Sequence, residues 1–350
     1  MDLLLGLLIC SFTINSALFV PYINLLYRIK FQRKEQKTKD AFGKLTPIFD
    51  RLHRNKAGVP LGGGLLIIFT TTVLFGVVFW LLPYFEPWHP ITSLYPHMMR
   101  EEIKILLFTF ISFAIIGLYD DIKKTFNVEE TDFFGLRLRH KLILELVLTF
   151  FISYWLYDLL DIKFVHVPLI GEITLGWLYI PFSTIVILSF ANAFNITDGL
   201  DGLSSGLMMI ALMAFWVITA SILDTPLSVF IALLIGGIIA FLYFNIYPAR
   251  IILGDVGALS FGATFAVIGL ILGKPFTLVI IGGIFVIEAA TSLLQLASKR
   301  FRHKKLFPVA PLHLYLQYIG WEEPKIVMRL WLAGMMLAVF GLWLALFDTY

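Results

Sequence analysis

The chain has 350 residues, of which 59% are hydrophobic and only 15% are charged, and its mean hydropathy is +0.87. Soluble globular domains carry about 25% charged residues, so the composition excludes an ordinary soluble protein and indicates a polytopic membrane protein. A single cysteine, Cys10, excludes an intrachain disulfide and a cysteine-based metal cluster. We expect membrane lipid, and no nucleic acid, among the partners of such a chain.

Ten stretches of the chain are long and apolar enough to cross a membrane, which takes about 20 residues each. No internal repeat or separate soluble segment interrupts them, so we predict an all-α fold in one integral membrane domain over residues 1–350. The first stretch does not resemble a signal peptide, because Asp2 replaces the basic n-region and the basic flank begins only at Arg28. The predicted spans are about 3–27, 62–83, 103–119, 142–160, 177–195, 203–222, 227–245, 258–273, 276–297 and 325–347.

Basic residues are concentrated in alternate connections between these spans. The connections on one side hold 23 Lys or Arg, whereas those on the other side hold 4. By the positive-inside rule the basic side is cytoplasmic, and ten spans then place both termini outside. The basic segments are 28–56, 123–141, residue 250, 299–305 and 325–329.

The connection between the fifth and sixth predicted spans reads NAFNITDGLDGLSSG, from Asn192 to Gly206. Carboxylates close to hydrocarbon are costly unless they face water, a cation or a substrate, so Asp198 and Asp201 are functional candidates. The simpler interpretation is a polar DG turn that joins two helices. Alternation of the spans places this connection on the cytoplasmic side.

Three more acids lie at predicted cytoplasmic boundaries: the adjacent pair Asp120 and Asp121, and Asp255 in the sequence LGDVG. Adjacent carboxylates repel one another and therefore require a divalent cation, a lysine or a proton. Oxygen ligands beside phosphates favour magnesium, which takes one or two carboxylates together with substrate phosphates. The alternative for the pair is a helix end that forms salt bridges with Lys123 and Lys124.

Two further segments show recognisable patterns. Lys56 precedes a glycine-rich stretch, GVPLGGG, which could bring a cation and bare backbone to a phosphate, although no P-loop follows. Segment 161–176 alternates apolar and polar residues around a Gly-Glu pair, which predicts a small hairpin on the outer side.

The five aspartates come from three cytoplasmic boundaries, and the outer halves of the spans hold almost no acids. Together with the glycines, Lys56 and the basic connections, they are typical of a magnesium-dependent phosphoryl-transfer centre, where catalysis consists mainly of positioning and charge neutralisation. A position at the membrane face indicates that one substrate is a lipid phosphate.

Six blocks of this sequence resemble the polyprenyl-phosphate N-acetylhexosamine-1-phosphate transferases. The resemblance extends from residue 53 to 332 and implies a ten-helix fold with both termini outside, in agreement with the charge count. It also implies a multi-pass protein of the bacterial cell membrane with a cytoplasm-facing active-site cleft, and it allows a homodimer. The blocks are HRNKAGVPLGGG, GLYDDIKK, NAFNITDGLDGL, FNIYPARIILGDVG, FVIEAATSLLQLAS and APLHLYLQYIGWEEPKIVMRLW.

The resemblance implies that undecaprenyl phosphate attacks the β-phosphate of UDP-N-acetylmuramoyl-pentapeptide, releasing UMP and giving lipid I. Asp255 would bind Mg²⁺, and Asp120 or Asp121 would act on the lipid phosphate as base or as metal support. Eight residues would bind substrate: Lys56, Asn192, Asn195, Asp198, Asp201, Asn245, Gln295 and His313. By its apolar setting alone, that histidine would be a packing residue.

The chain departs from the family pattern at three places. Where the family has three consecutive histidines, this chain has His313, Leu314 and Tyr315. Where the family has a uracil-facing aromatic residue before the glycine-aspartate pair, this chain has Ile252. Where the family has GTPTMGG, this chain has GVPLGGG. These changes leave open a second branch of the family, which uses UDP-N-acetylglucosamine or another UDP-sugar. The blocks from Ala310 onward favour the muramoyl-pentapeptide branch.

Two other classes of membrane protein also carry intramembrane acids. An ion-coupled transporter would place them near mid-membrane, often in two repeated halves, whereas these acids lie at one face and no repeat is visible. An intramembrane aromatic prenyltransferase would carry two separated Asp-rich motifs, which the sequence DDIKK matches poorly.

Overall fold

A computed structural model describes residues 2–32, 51, 56, 58–81, 96–126 and 138–347. Much of the predicted basic segment 28–56, and part of 123–141, lies outside the described residues. The helices are α1 (Asp2–Arg28), α2 (Gly63–Leu81), α3 (Pro96–Phe126), α4 (Leu138–Asp158), α5 (Tyr179–Thr197), α6 (Leu203–Ser221), α7 (Thr225–Asn245), α8 (Gly254–Ile271), α9 (Pro275–Ile281), α10 (Gly283–Phe301), α11 (Leu312–Tyr318) and α12 (Glu323–Phe347).

Each of the ten predicted spans corresponds to a helix or to a helix pair. Within the described ranges, nine helices are long and apolar enough to cross a membrane, and α9 with α10 makes a tenth when the pair counts as one span. The predicted all-α polytopic membrane fold is therefore confirmed. The pair bends by 82° at Gly282, next to Gly283, because glycine is a weak helix former.

Two helices extend further than their apolar runs predict. The predicted span 103–119 becomes α3, which continues to Phe126, and an i,i+4 salt bridge from Asp120 to Lys124 stabilises its last turns. The predicted span 258–273 becomes α8, which begins at Gly254. The aspartates of both motifs therefore lie on helix ends and not in loops.

The helices α7 and α8 form the centre of the bundle. In the apolar segment of each helix that is long enough to cross a membrane, 89% of the residues are buried in α7 and 94% in α8, against 22% in α1. Hydrophobic exposure elsewhere suits helices that face lipid, as a membrane fold requires. The central position of α8 places the residue at its start, Asp255, within reach of several neighbouring helices.

Polar side chains join the helix ends at one end of the bundle, which we call the polar end. There the C-terminal ends of α3, α5 and α7 meet the N-terminal ends of α4, α6, α8 and α12. This arrangement follows from the up-and-down order of the helices, because consecutive spans alternate in direction. The contacts that show it are Lys141 with Asp120, Asp255 with Asp121, Gly202 with Asn245 and Asp201 with Glu323.

The predicted hairpin in segment 161–176 is confirmed. Strand β1 (Phe164–Val167) pairs antiparallel with β2 (Gly171–Thr174), and Val165 lies opposite Ile173. It follows α4 and precedes α5, so it lies at the end of the bundle opposite the polar end. The N–H of His166 also donates to the carbonyl of Gly273, which ties the hairpin to the connection after α8.

Candidate active site

The carboxylate of Asp121 fixes the beginning of α8. It is fully buried, and its two oxygens accept the backbone N–H groups of Asp255 at 3.1 Å and Val256 at 3.0 Å. The preceding residue, Gly254, has a φ of +82°, a left-handed conformation that other residues rarely adopt. The turn and the cap together set the backbone position of Asp255.

Two lysines bridge Asp120 and Asp255. Nζ of Lys124 lies 2.9 Å from Oδ2 of each aspartate, and Nζ of Lys141 lies 2.5 Å from Oδ2 of Asp255 and 3.3 Å from Oδ2 of Asp120. The alternative interpretation of the acidic pair therefore holds in part, since Lys124 does pair with Asp120. The other predicted partner, Lys123, lies over the Tyr119 ring, 5.1 Å from its centroid.

Asn195 and Asn192 lie one turn apart on α5 and make different contacts. Nδ2 of Asn195 lies 3.3 Å from Oδ2 of Asp255, so this amide joins the carboxylate centre. Nδ2 of Asn192 donates to Oε2 of Glu145 at 2.6 Å. The structure therefore uses Asn192 to connect α5 to α4, one turn further from the polar end.

The predicted DG connection contains Asp198, which accepts a hydrogen bond from the Ser204 hydroxyl at 2.5 Å. Burial raises the pKa of Asp198 from 3.8 to about 6, while the Ser204 hydrogen bond and the charge of Lys56 act in the opposite direction. The connection is therefore more than a solvated turn, because the Asp198 carboxylate is partly buried and side chains hold the backbone that joins the two helices.

Lys56 binds the same connection through three oxygens. Its Nζ lies 2.9 Å from the carbonyl oxygen of Gly199, 2.8 Å from Oδ1 of Asp201 and 2.9 Å from Oε1 of Glu323. Asp201 also accepts the backbone N–H of Ala249 at 3.0 Å and donates its own N–H to Glu323 at 2.7 Å. This cluster joins the segment before α2 to the starts of α6 and α12.

Asn245 joins the end of α7 to two neighbouring connections. Its Oδ1 accepts the N–H of Gly202 at 3.0 Å, and its Nδ2 donates to the carbonyl of Ile251 at 2.9 Å. Gln295 has a comparable backbone role on α10: it accepts the N–H groups of Leu306 and Phe307 at 2.9 Å and donates to the carbonyl of Phe307 at 2.8 Å. Both amides therefore orient backbone segments.

His313 is paired with a carboxylate that its motif did not identify. Its Nδ1 lies 3.0 Å from Oε2 of Glu288, and its backbone N–H donates to Oε1 of the same carboxylate at 3.1 Å. His313 is 1% exposed and Glu288 is not exposed. The prediction from the apolar setting, a packing residue, thus overlooked a polar partner inside the bundle.

These groups surround one pocket of about 250 Å³ at the polar end. Seven of the eleven predicted site residues line it, whereas Asp120, Asp121, Asn192 and Gln295 do not. The lining also contains Lys124, together with Ile252 and Leu314, at two of the positions where the chain departs from the family pattern. The seven are Lys56, Asn195, Asp198, Asp201, Asn245, Asp255 and His313.

Asp120 and Asp255 are the two carboxylates at the polar end that could bind a divalent cation. Among the described residues, no group of three or more His, Cys, Asp or Glu forms a closed metal site. Oδ2 of Asp120 and Oδ2 of Asp255 contact the same two ammonium groups, so the two carboxylates lie close together. Two carboxylates completed by substrate phosphates are a common magnesium arrangement.

Comparisons with known proteins agree with the motifs. The family model described as Glycosyl transferase family 4 matches residues 103–273. The phospho-N-acetylmuramoyl-pentapeptide-transferase of Clostridium perfringens (strain SM101 / Type A) is 32% identical over 321 residues, which cover 91% of this chain and 90% of that protein. The protein of the same name from Halalkalibacterium halodurans is 31% identical over 349 residues, 99% of this chain and 98% of its own length.

A third relative with this name, from Desulfotalea psychrophila, is 33% identical over 316 residues, 83% of this chain and 80% of its own length. The resemblance inferred from the sequence blocks is therefore confirmed. The three matches cover between 83% and 99% of this chain. The chain belongs to glycosyl transferase family 4 and is a membrane transferase, with relatives named phospho-N-acetylmuramoyl-pentapeptide-transferase.

Proposed function

We propose that this transferase moves phospho-N-acetylmuramoyl-pentapeptide from its UDP-linked form to undecaprenyl phosphate, giving lipid I and UMP. The names of the relatives support the identity of the transferred group. The single observation that carries the proposal is the pocket, where Lys56 and Lys124 lie beside Asp198 and Asp255 at one end of the helix bundle. Such a pocket offers cations to a diphosphate and carboxylates to a metal ion.

In this reaction an oxygen of the lipid phosphate attacks the β-phosphorus of the UDP-linked substrate. The bond from that phosphorus to the bridging oxygen breaks, and UMP leaves with the bond electrons. A phosphate monoester has a second pKa of about 6 and is largely ionised at neutral pH, so little deprotonation is needed. The protein therefore acts mainly by positioning the two substrates and neutralising their charge.

Mg²⁺, when bound, would neutralise phosphate charge and polarise the reacting phosphorus. We assign Asp255 as its principal ligand and Asp120 as a second carboxylate, because Lys124 and Lys141 already bridge these two side chains. Asp121 fits a positioning role better, since both of its oxygens accept backbone N–H groups of α8. The adjacent aspartates thus receive different tasks.

The nucleotide would bind along the α5–α6 connection. Lys56, Asn195 and Asp198 line the pocket there, and they offer a cation, an amide and a carboxylate to the phosphates, ribose and base. Asp201 keeps Lys56 in place through a 2.8 Å salt bridge. Asn192 and Gln295, which were also predicted to bind substrate, would act through the neighbouring segments that they hold.

Transfer of a different UDP-linked N-acetylhexosamine is the second candidate function. Two observations favour it: Leu314 and Ile252 line the pocket, and both differ from the family pattern. Apolar side chains there would change contacts to the sugar, the peptide or the base without touching the carboxylate centre. The phosphoryl-transfer chemistry is therefore common to both candidates.

We also propose that the polar end faces the cytoplasm and that both termini lie outside. The basic segment 299–305 belongs to the same end as α11 and the pocket, and the hairpin of β1 and β2 lies at the other end, as the positive-inside rule requires. The five candidate aspartates lie at the polar end of the bundle, which supports a transferase of cytosolic nucleotide substrates over an ion-coupled transporter with a mid-membrane site.

Release of UMP tests the proposal. Purified protein in detergent should release UMP from UDP-N-acetylmuramoyl-pentapeptide only when undecaprenyl phosphate and Mg²⁺ are both supplied. Asp255→Asn should reduce turnover by at least about a thousandfold, the scale of losing a principal charge-stabilising group. Asp158→Asn is a matched control, because this exposed carboxylate lies at the opposite end of α4. Turnover without Mg²⁺, or retained by Asp255→Asn, would contradict the proposal.

A further inference from the structure

The buried carboxylate of Glu288 and the ring of His313 form a pair at the wall of the pocket. Both oxygens of Glu288 are directed at this one residue: Oε1 accepts its backbone N–H at 3.1 Å, and Oε2 lies 3.0 Å from Nδ1. Glu288 lies on α10, near the 82° bend, and His313 lies in the first turn of α11. The pair therefore connects two elements that are 25 residues apart in the chain.

The chemistry of the pair decides which ring nitrogen carries a proton. An ionised carboxylate has only acceptors, so Nδ1 must be the donor in this contact. A carboxylate with no exposure is costly unless a cation balances it. Among the described residues, His313 is the one basic side chain within salt-bridge distance of Glu288, and an imidazolium ring would balance the buried charge. The remaining nitrogen, Nε2, then also carries a proton.

The second ring nitrogen points at the DG connection. Nε2 packs against Gly199, where an added Cβ would overlap Nε2 and come within 2.9 Å of Cε1. The three nearest atoms to that Cβ position all belong to His313. Gly199 also accepts a hydrogen bond from Lys56 at 2.9 Å through its carbonyl oxygen. The missing side chain at this position leaves room for the ring beside a lysine of the pocket.

We infer that Glu288 is a positioning residue that keeps His313 doubly protonated, so that its Nε2–H donates to an anionic oxygen of the UDP-linked substrate. This inference rests on the proposed function, because it names a contact of the same nucleotide pocket. It assigns a role to a carboxylate that lies outside the pocket lining and acts through the histidine. Charge-assisted hydrogen bonds of this kind are about twice as strong as neutral ones.

Glu288→Gln is the direct test, because glutamine keeps the size of the side chain and removes its charge. We expect the KM for the UDP-linked substrate to rise about tenfold or more, the effect of losing a charge-assisted hydrogen bond, with kcat changing less than about threefold. Equilibrium dialysis with UDP should show the same loss of affinity. Thr291→Val is the matched control, since the Thr291 hydroxyl donates to the backbone carbonyl of Glu288 one turn along.

A double-mutant cycle separates positioning from general stability. In a His313→Ala background, Glu288→Gln should cost no further affinity, because the residue through which it acts is gone. Equal losses in both backgrounds, or unchanged UDP affinity in Glu288→Gln, would overturn the inference. If the single variant unfolds, Gly199→Ala replaces it: we expect weak UDP binding with His313 present, and recovery to the level of His313→Ala alone when both are changed. If UDP binding did not recover in the double variant, the inferred contact of the His313 ring with Gly199 would be wrong.

The failure of this inference is distinguishable from failure of the proposed function. If wild type and Glu288→Gln bind UDP equally and both release UMP, the role inferred for Glu288 is wrong and the proposed transferase activity is retained. If wild type binds UDP, and Glu288→Gln weakens that binding as described, but no UMP is released, the role of Glu288 is retained and the proposed reaction is wrong. Absence of UDP binding to wild type would overturn both.

Discussion

The Asp121 side chain contacts the backbone of Asp255 and not the side chain of Asp255. The N–H of Asp255 donates to Oδ1 of Asp121 at 3.1 Å, while the Asp255 carboxylate turns to Lys124 and Lys141. The neighbouring residue Asp120 contacts the same two lysines. One aspartate of the pair therefore sets the position of the centre, and the other contributes charge to it.

Asp121→Asn should lower both the stability of the protein and its kcat. Two N–H donors face the Asp121 carboxylate, and an amide can accept from only one of its two ends, so one buried donor loses its partner. We expect the free energy of unfolding to fall by about 1–3 kcal/mol, measured as a lower thermal unfolding midpoint in detergent, together with a lower kcat. An exposed carboxylate serves as control, and Asp158→Asn should leave the midpoint unchanged. An unchanged midpoint in Asp121→Asn would refute the capping role.

Asp198 should make stability depend on pH between about 4 and 6. Burial raises its pKa from 3.8 to about 6, so the folded state binds a proton in this range that the unfolded state has released. The contribution of Asp198 to the free energy of unfolding is therefore fully present below pH 4 and is lost as the pH rises through 6. A difference of one pKa unit between the folded and unfolded states corresponds to about 1.4 kcal/mol. Asp198→Asn should remove this slope. The unfolding midpoints of both forms at pH 4.5 and 7.5 measure it; parallel curves would show that Asp198 does not titrate in this way.

Restoring a histidine at position 314 should matter more than restoring one at 315. Leu314 lines the pocket and is 3% exposed, whereas Tyr315 does not belong to the lining. We expect Leu314→His to change the affinity for UDP by about fivefold or more, about 1 kcal/mol, through a new polar contact. Tyr315→His should change it less than twofold. Equilibrium dialysis with UDP compares the two, and the opposite ranking would mean that the pocket extends past α11 on its other side.

The topology predicts which residues face each side of the membrane. In a Cys10→Ser background, Leu169→Cys at the hairpin should react with a membrane-impermeant maleimide in intact cells. Lys304→Cys, in the basic segment at the polar end, should react only after permeabilisation. Labelling in the reverse pattern would place the pocket outside the cell and remove access to cytosolic nucleotides.

Much of the fold could be predicted because membrane helices are encoded locally. Apolar runs gave all ten spans, and the alternation in 161–176 gave the hairpin. The errors lay at the boundaries: α3 continues to Phe126 because polar residues such as Lys124 remain good helix formers and pair with Asp120. Hydropathy measures where a helix can cross lipid and is insensitive to where the helix ends.

The site was predictable as a set of carboxylates at helix ends, but its partners were not. Glu323 meets Lys56 across 267 residues, and Glu288 meets His313 across 25, so these pairs depend on tertiary packing. Asn192 and Asn195 share a motif and a helix face, yet one contacts Glu145 and the other Asp255. A buried glutamate in the apolar run FVIEAATS was the available signal for Glu288, since acids are rare within spans.

The most direct test of the central claim is a side-by-side measurement of UMP release from two UDP-linked substrates. With undecaprenyl phosphate and Mg²⁺ present, we expect release from UDP-N-acetylmuramoyl-pentapeptide and little or none from UDP-N-acetylglucosamine, with Asp255→Asn inactive on both. Release from UDP-N-acetylglucosamine alone would contradict the assigned substrate and leave the phosphoryl-transfer centre intact. Release from neither substrate would contradict the proposed reaction itself.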